Sequence, residues 1–174
     1  GTAASLLDGG TAAWQRAGQP VTAEVPVTHI GTLAPLKLQP IVVDAGFVLA
    51  HLKTANFAIV DARASAFYDG VQAGNMGQQR MGHIAGALSV PYTSVTDDQL
   101  NWRTADELAA LFAKAGVKPG DTIIGYCHIG QQATAMLLAA RLTGHPVLLY
   151  DGSFQDWSRH TEYPVENPAG RGRR

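Results

Sequence analysis

Cysteine occurs once in 174 residues, at Cys127, so no internal disulfide can form and cysteine usage assigns no redox compartment, cytoplasmic or periplasmic. Charge is also sparse: 16% of residues are Asp, Glu, Lys or Arg, and the formal net charge is −1. No broad basic field results, and nucleic acid is not an expected partner. No apolar run approaches the roughly 18 to 20 residues that span a bilayer, so no membrane partner is expected either. The six histidines lack paired ligand spacing, and neither a metal nor another cofactor is expected. A chain that opens on Gly1 rather than Met reads as processed or truncated, with any targeting signal lost. What the sequence does have is 46% apolar content in a length suited to one well-buried domain.

The pattern alternates between strands and helices. Ile41-Val42-Val43 precedes a helix with Asp44 as its cap and Phe47, Val48 and Leu52 on one face. Phe57 to Val60 is a strand ending at Asp61-Ala62-Arg63, and Leu88-Ser89-Val90 is a second one stopped by Pro91. A long polar stretch runs from Tyr68 to Met81. Thr104-Ala105-Asp106-Glu107 is a capping box, followed by a stripe of Leu108, Leu111, Phe112 and Ala115. Such alternation predicts an α/β fold: an open parallel sheet with helices on both faces.

Cys127 stands at the junction of one strand and one helix. The β-branched run Asp121 to Tyr126 precedes it, and the helix formers Gln132 to Leu142 follow. In such sheets ligands bind beyond the carboxyl ends of the strands. A thiol there faces unpaired N–H groups and the positive end of a helix dipole, which favour a reachable thiolate. Gly130 lets the loop curl its amides inward. The alternative is an inert buried cysteine, the common fate of a lone one.

The two ends of the chain repeat each other. Leu6, Asp8, Gly9, Trp14 and Arg16 recur as Leu149, Asp151, Gly152, Trp157 and Arg159, with a Pro-Val following each (Pro20-Val21 and Pro164-Val165). Residues 1–26 therefore read as the tail of an earlier unit of the same kind, 27–40 as a linker, 41–166 as a complete domain and 167–174 as a flexible C-terminal tail. An N-terminal arm private to a single domain is the other reading.

Asp61-Ala62-Arg63, Gly82-His83-Ile84-Ala85-Gly86-Ala87, Tyr126 to Ala133, and Tyr150-Asp151-Gly152-Ser153 through Trp157 together resemble the rhodanese-type sulfurtransferases, mainly the second half of their tandem members. The resemblance implies a rhodanese-like sheet and transfer of sulfur from an anionic donor, thiosulfate or 3-mercaptopyruvate, to cyanide or a thiol. It makes Cys127 the catalytic nucleophile, loaded as a persulfide, and the missing first half a partner. Substrate binding falls to the loop residues His128, Ile129, Gly130, Gln131 and Gln132, with Arg63 and Arg80 guiding the anion; for the two arginines, structural pairing and solvent exposure are the respective alternatives. His83 reads as a hydrogen-bonded structural residue. Thiosulfate-using members tend to carry cations in the active loop and an arginine where Phe67 stands, so fixed charge for the donor is weak here. A persulfide carrier and a non-catalytic interaction module are alternatives. A cysteine phosphatase would need an arginine clamp where Ala133 lies.

Overall fold

The computed structural model describes residues 5–28, 30–32, 35, 37, 39–74 and 80–171. Helix α1 (Gly10–Arg16) is followed, after an exposed stretch, by β1 (Val42–Val43), α2 (Ala45–His51), β2 (Phe57–Asp61), α3 (Ser65–Tyr68), β3 (His83–Ile84) and β4 (Leu88–Ser89). A 3₁₀ turn (Tyr92–Ser94) leads to α4 (Ala105–Ala115), β5 (Thr122–Tyr126), α5 (Gln131–Leu142), β6 (Val147–Tyr150), α6 (Ser153–Trp157), β7 (Val165–Glu166) and α7 (Pro168–Arg171). Five strands form one parallel sheet in the order β1-β6-β5-β2-β4.

Alternation along the central strands divides the core into two layers. Ala58, Val60 and Ile123 join Leu108 and Phe112 of α4 and Ala133, Met136 and Ala140 of α5. Ile59, Ile124 and Tyr126 join Ala45 and Val48 of α2 and Phe154 and Trp157 of α6. Both faces are covered, which is why these strands read as continuous apolar runs. Local chemistry sets the helix starts. Asp44 accepts the Phe47 amide at 2.8 Å, and Thr104 and Glu107 form the reciprocal capping box of α4. Each such cap contributes about 1 kcal/mol.

Three features depart from the sequence reading. A short antiparallel pair, β3 with β7, lies outside the main sheet and seals its margin; a side chain on Gly82 there would strike the Glu166 carbonyl. Ser65–Tyr68 coils into α3 ahead of the polar stretch. Residues 168–171, assigned to a flexible tail, form α7, whose Ala169 amide donates to the Asp69 carbonyl at 2.9 Å. Residues 172–174 of that tail, like residues 1–4, lie outside the described residues.

The terminal repeat has a structural counterpart. Trp157 donates its indole N–H to the carbonyl of Pro164 at 3.1 Å, and Trp14 does the same to Pro20 at 2.8 Å. Gly10 and Ser153, at matching offsets, share the left-handed conformation, with φ of 56° and 54°. Burial differs sharply: Trp157 is fully enclosed, whereas Trp14 is 41% exposed and α1 contributes no buried residue. The first copy is tied to the domain by the Trp102 amide on Asp8 at 2.9 Å and by Arg16 on the Gln99 carbonyl at 3.3 Å. A cavity of about 670 Å³ separates Leu6, Leu7 and Ala12 from Tyr92, Leu100 and Trp102. Trp157→Ala should cost about 3–5 kcal/mol, and Trp14→Ala less than about 1 kcal/mol, both read from urea unfolding midpoints; equal losses would mean that α1 is part of the domain core.

Candidate active site

Strand β5 delivers Cys127 to the carboxyl edge of the sheet, and α5 starts four residues later. Cys127 continues the alternation of its strand: Ile123 and Cys127 share the face under α4 and α5, while Ile124 and Tyr126 take the other. The thiol therefore points into the packed layer that holds Ala62, Ala133 and Met136, and its relative exposure is 0%. This corrects the expectation of a reachable sulfur. Ile129, two residues on, is 38% exposed.

The loop is stapled to the first turn of α6. The Cys127 amide donates to Ser153 Oγ at 3.1 Å, and that hydroxyl donates onward to the Tyr150 carbonyl at 2.9 Å. In return the Phe154 and Gln155 amides donate to the carbonyls of Cys127 and His128, at 3.0 and 3.1 Å. Gly130 has φ of 87°, and a Cβ there would lie 2.5 Å from Asp151 Oδ1 and 3.0 Å from the Asp151 carbonyl. Only glycine fits between the curl and the Asp-Gly turn. Among the described residues no backbone carbonyl accepts the amides of Ile129, Gly130, Gln131 or Gln132. These are the donors that a strand-to-helix junction leaves over.

Ser153 was not legible as a site residue. Its role depends on a backbone conformation unusual for serine, held by two hydrogen bonds at full burial. The glycine at the matching place in the first copy, Gly10, was the available signal.

The two arginines are engaged within the fold. Arg63, 2% exposed, forms a bidentate pair with Asp61, with Nη2 at 2.6 Å from Oδ2, and donates to the Gly82 carbonyl at 2.7 Å. Burial works against its charge, but Asp61 outweighs burial and raises its pKa. Its guanidinium lies 4.2 Å from the Phe154 ring centre. Arg80 donates to the carbonyls of His160 and Tyr163 at 3.0 and 2.7 Å, so that Nη1 serves the turn after α6. His83 stacks on Tyr68 with ring centres 3.7 Å apart and bonds the Tyr68 carbonyl at 2.7 Å.

Phe67 of α3 packs edge-on against His128, with ring centres 4.6 Å apart and planes at 89°. Burial, then the charge of Arg63, hold the His128 pKa below its ordinary value, with Asp61 pulling weakly the other way. Gln131 is exposed, and Gln132 Oε1 is a buried side-chain oxygen with no hydrogen-bond partner among the described residues. No group of three or more potential metal ligands occurs among the described residues, and no described helix is long and apolar enough to cross a membrane. None of the residues lining the 670 Å³ cavity belongs to the Cys127–Gln132 loop.

Residues 44–160 match the family model of the rhodanese-like domain. The chain is 36% identical to a 3-mercaptopyruvate sulfurtransferase of Escherichia coli, covering 93% of this chain and 58% of the relative. It is 31% identical to a thiosulfate sulfurtransferase of Rattus norvegicus, over 97% and 57% of the two chains. Against the sulfur carrier protein TtuD of Thermus thermophilus the identity is 30%, over 92% and 60%. It thus spans 57% to 60% of the length of these relatives. A solved anaerobic ergothioneine biosynthesis enzyme from Chlorobium limicola, in complex with trimethyl histidine, superposes with a TM-score of 0.83 at 26% identity, over 92% of this chain and 40% of that one.

Two outcomes test this geometry. Ser153→Ala strands the Cys127 amide and should cost about 1–3 kcal/mol in unfolding free energy. A loss within experimental error would remove the staple. A histidine with a lowered pKa takes up protons on unfolding, so the folded state loses stability as the pH falls through about 6.5. Between about pH 7.5 and 5.5, the parent protein should lose more stability than His128→Asn, read from urea midpoints at each pH; equal losses would clear His128.

Proposed function

Since the chain belongs to the rhodanese-like domain family, we propose that it is a sulfurtransferase working through a persulfide on Cys127. The Cys127 thiolate attacks the outer sulfur of an anionic donor and forms the new S–S bond. With thiosulfate, the donor's own S–S bond breaks and sulfite leaves with the electron pair. With 3-mercaptopyruvate, the C–S bond breaks and pyruvate leaves as an enolate that takes a proton. A thiol or cyanide then attacks the outer sulfur and returns the thiolate. The amides of Ile129, Gly130, Gln131 and Gln132 stabilise the anionic sulfur before and after loading, and His128 shapes the rim. Arg63, paired with Asp61 and with the Gly82 carbonyl, serves the fold rather than the donor.

The carrying observation is the placement of the single cysteine: at the carboxyl end of β5, ahead of a helix whose leading amides find no backbone carbonyl. Relatives named thiosulfate and 3-mercaptopyruvate sulfurtransferase support the same chemistry. A carrier role is favoured by one observation, the complete enclosure of Cys127, which suits holding sulfur for a partner. The likeness to a sulfur carrier protein agrees with it. We infer that residues 1–26 are the tail of a preceding unit of the same kind, on the strength of the indole hydrogen bond that Trp14 and Trp157 each make and of the exposure of Trp14.

Incubation with thiosulfate or 3-mercaptopyruvate should add one sulfur atom to Cys127, seen by intact mass and removed by cyanide with release of thiocyanate. Cys127→Ser should abolish both signals. Turnover by that variant at the parent rate would end the assignment, while loading without turnover to small acceptors would select the carrier reading.

A further inference from the structure

We propose, building on that sulfur-transfer reading, that the loop over Cys127, once open, selects donors with an apolar body and at most one negative charge, and that Phe67 sets this preference. Three observations bear on the loop. First, the nearby cations are committed: Arg63 is neutralised by Asp61 at 2.6 Å, and the described contacts of Arg80 are with the His160 and Tyr163 carbonyls. Second, the described side chains of the loop and its neighbour are an aromatic ring, an imidazole and an aliphatic chain: Phe67 packs edge-on to His128, and Ile129 is exposed. His128 sits in surroundings that favour its neutral form. Third, the carboxylate of Asp151 stands against Gly130, on the other side of the curl.

A compact dianion such as thiosulfate gains from the loop amides but finds no free cation among these described groups, and it meets the field of Asp151. Replacing one of its charged oxygens with an apolar group removes half of that repulsion and gives the Phe67 ring a surface to cover. Discrimination of this kind, by one apolar group in a partly apolar pocket, is worth about tenfold or more.

Benzenethiosulfonate is the matched probe. Like thiosulfate it offers a terminal sulfur on a sulfonyl centre, but a phenyl group replaces one oxygen and the charge is −1. Attack by the Cys127 thiolate forms the persulfide and releases benzenesulfinate; the total charge is unchanged and no redox partner is required. Thiocyanate release with cyanide gives kcat/KM for each donor, and dividing by the rates with cyanide alone in solution removes intrinsic reactivity. The expected normalised preference for benzenethiosulfonate is about tenfold or more. Phe67→Arg should shrink it by about tenfold, chiefly by lowering KM for thiosulfate. Phe67→Gln, which keeps the site neutral, should raise KM for benzenethiosulfonate and leave thiosulfate unmoved. A normalised ratio at or below one in the parent protein overturns the proposal while sulfur transfer stands. A ratio unchanged in both variants removes Phe67 from it. Failure of both donors, and of 3-mercaptopyruvate, to load Cys127 overturns the sulfur-transfer reading itself.

Discussion

One hydroxyl joins the two halves of the site. Ser153 Oγ accepts the Cys127 amide and donates to the Tyr150 carbonyl, so the end of β5, the end of β6 and the start of α6 are locked at one atom. Two return bonds, from Phe154 and Gln155 to the loop carbonyls, complete the connection. With the entry to the loop fixed in this way, its later amides are left without a backbone carbonyl among the described residues. The arrangement relies on a serine in a left-handed conformation, a local cost offset by two fully buried hydrogen bonds.

Electrostatics at this edge are organised more for architecture than for attraction. Asp61 and Arg63 neutralise each other under the loop, and Tyr126, whose hydroxyl accepts the Ile84 amide at 3.1 Å, is held protonated by burial and by Asp61. A buried pair of this type contributes little net stability, but it is costly to break from one side, by about 3–5 kcal/mol. It therefore fixes where β2 ends and where the chain can pass beneath β3. The described ring contact at the loop above is Phe67 on His128, in contrast to the cationic loops of the thiosulfate-using enzymes that the chain resembles.

The main sheet, its helices and the cysteine junction were legible because they rest on short-range signals. β-branched runs, the Asp44 cap and the Thr104–Glu107 box each act within a few residues, and each is present in the folded chain. The β3–β7 pair was not legible: two-residue strands joined across the whole domain leave no periodicity to read. Arg63 could be weighed from its neighbour Asp61, two positions away, whereas the partners of Arg80 are separated from it by 80 and 83 residues. The orientation of Cys127 was in principle available, since strand alternation places it with Ile123.

The enclosure of the only thiol also governs what two copies of the chain can do to each other. A disulfide requires two sulfur atoms about 2 Å apart, and a cysteine with 0% exposure cannot approach its counterpart while the loop keeps this conformation. Covalent dimers and attack by bulky alkylating reagents are thus limited by the frequency of loop opening rather than by how oxidising or reactive the solution is.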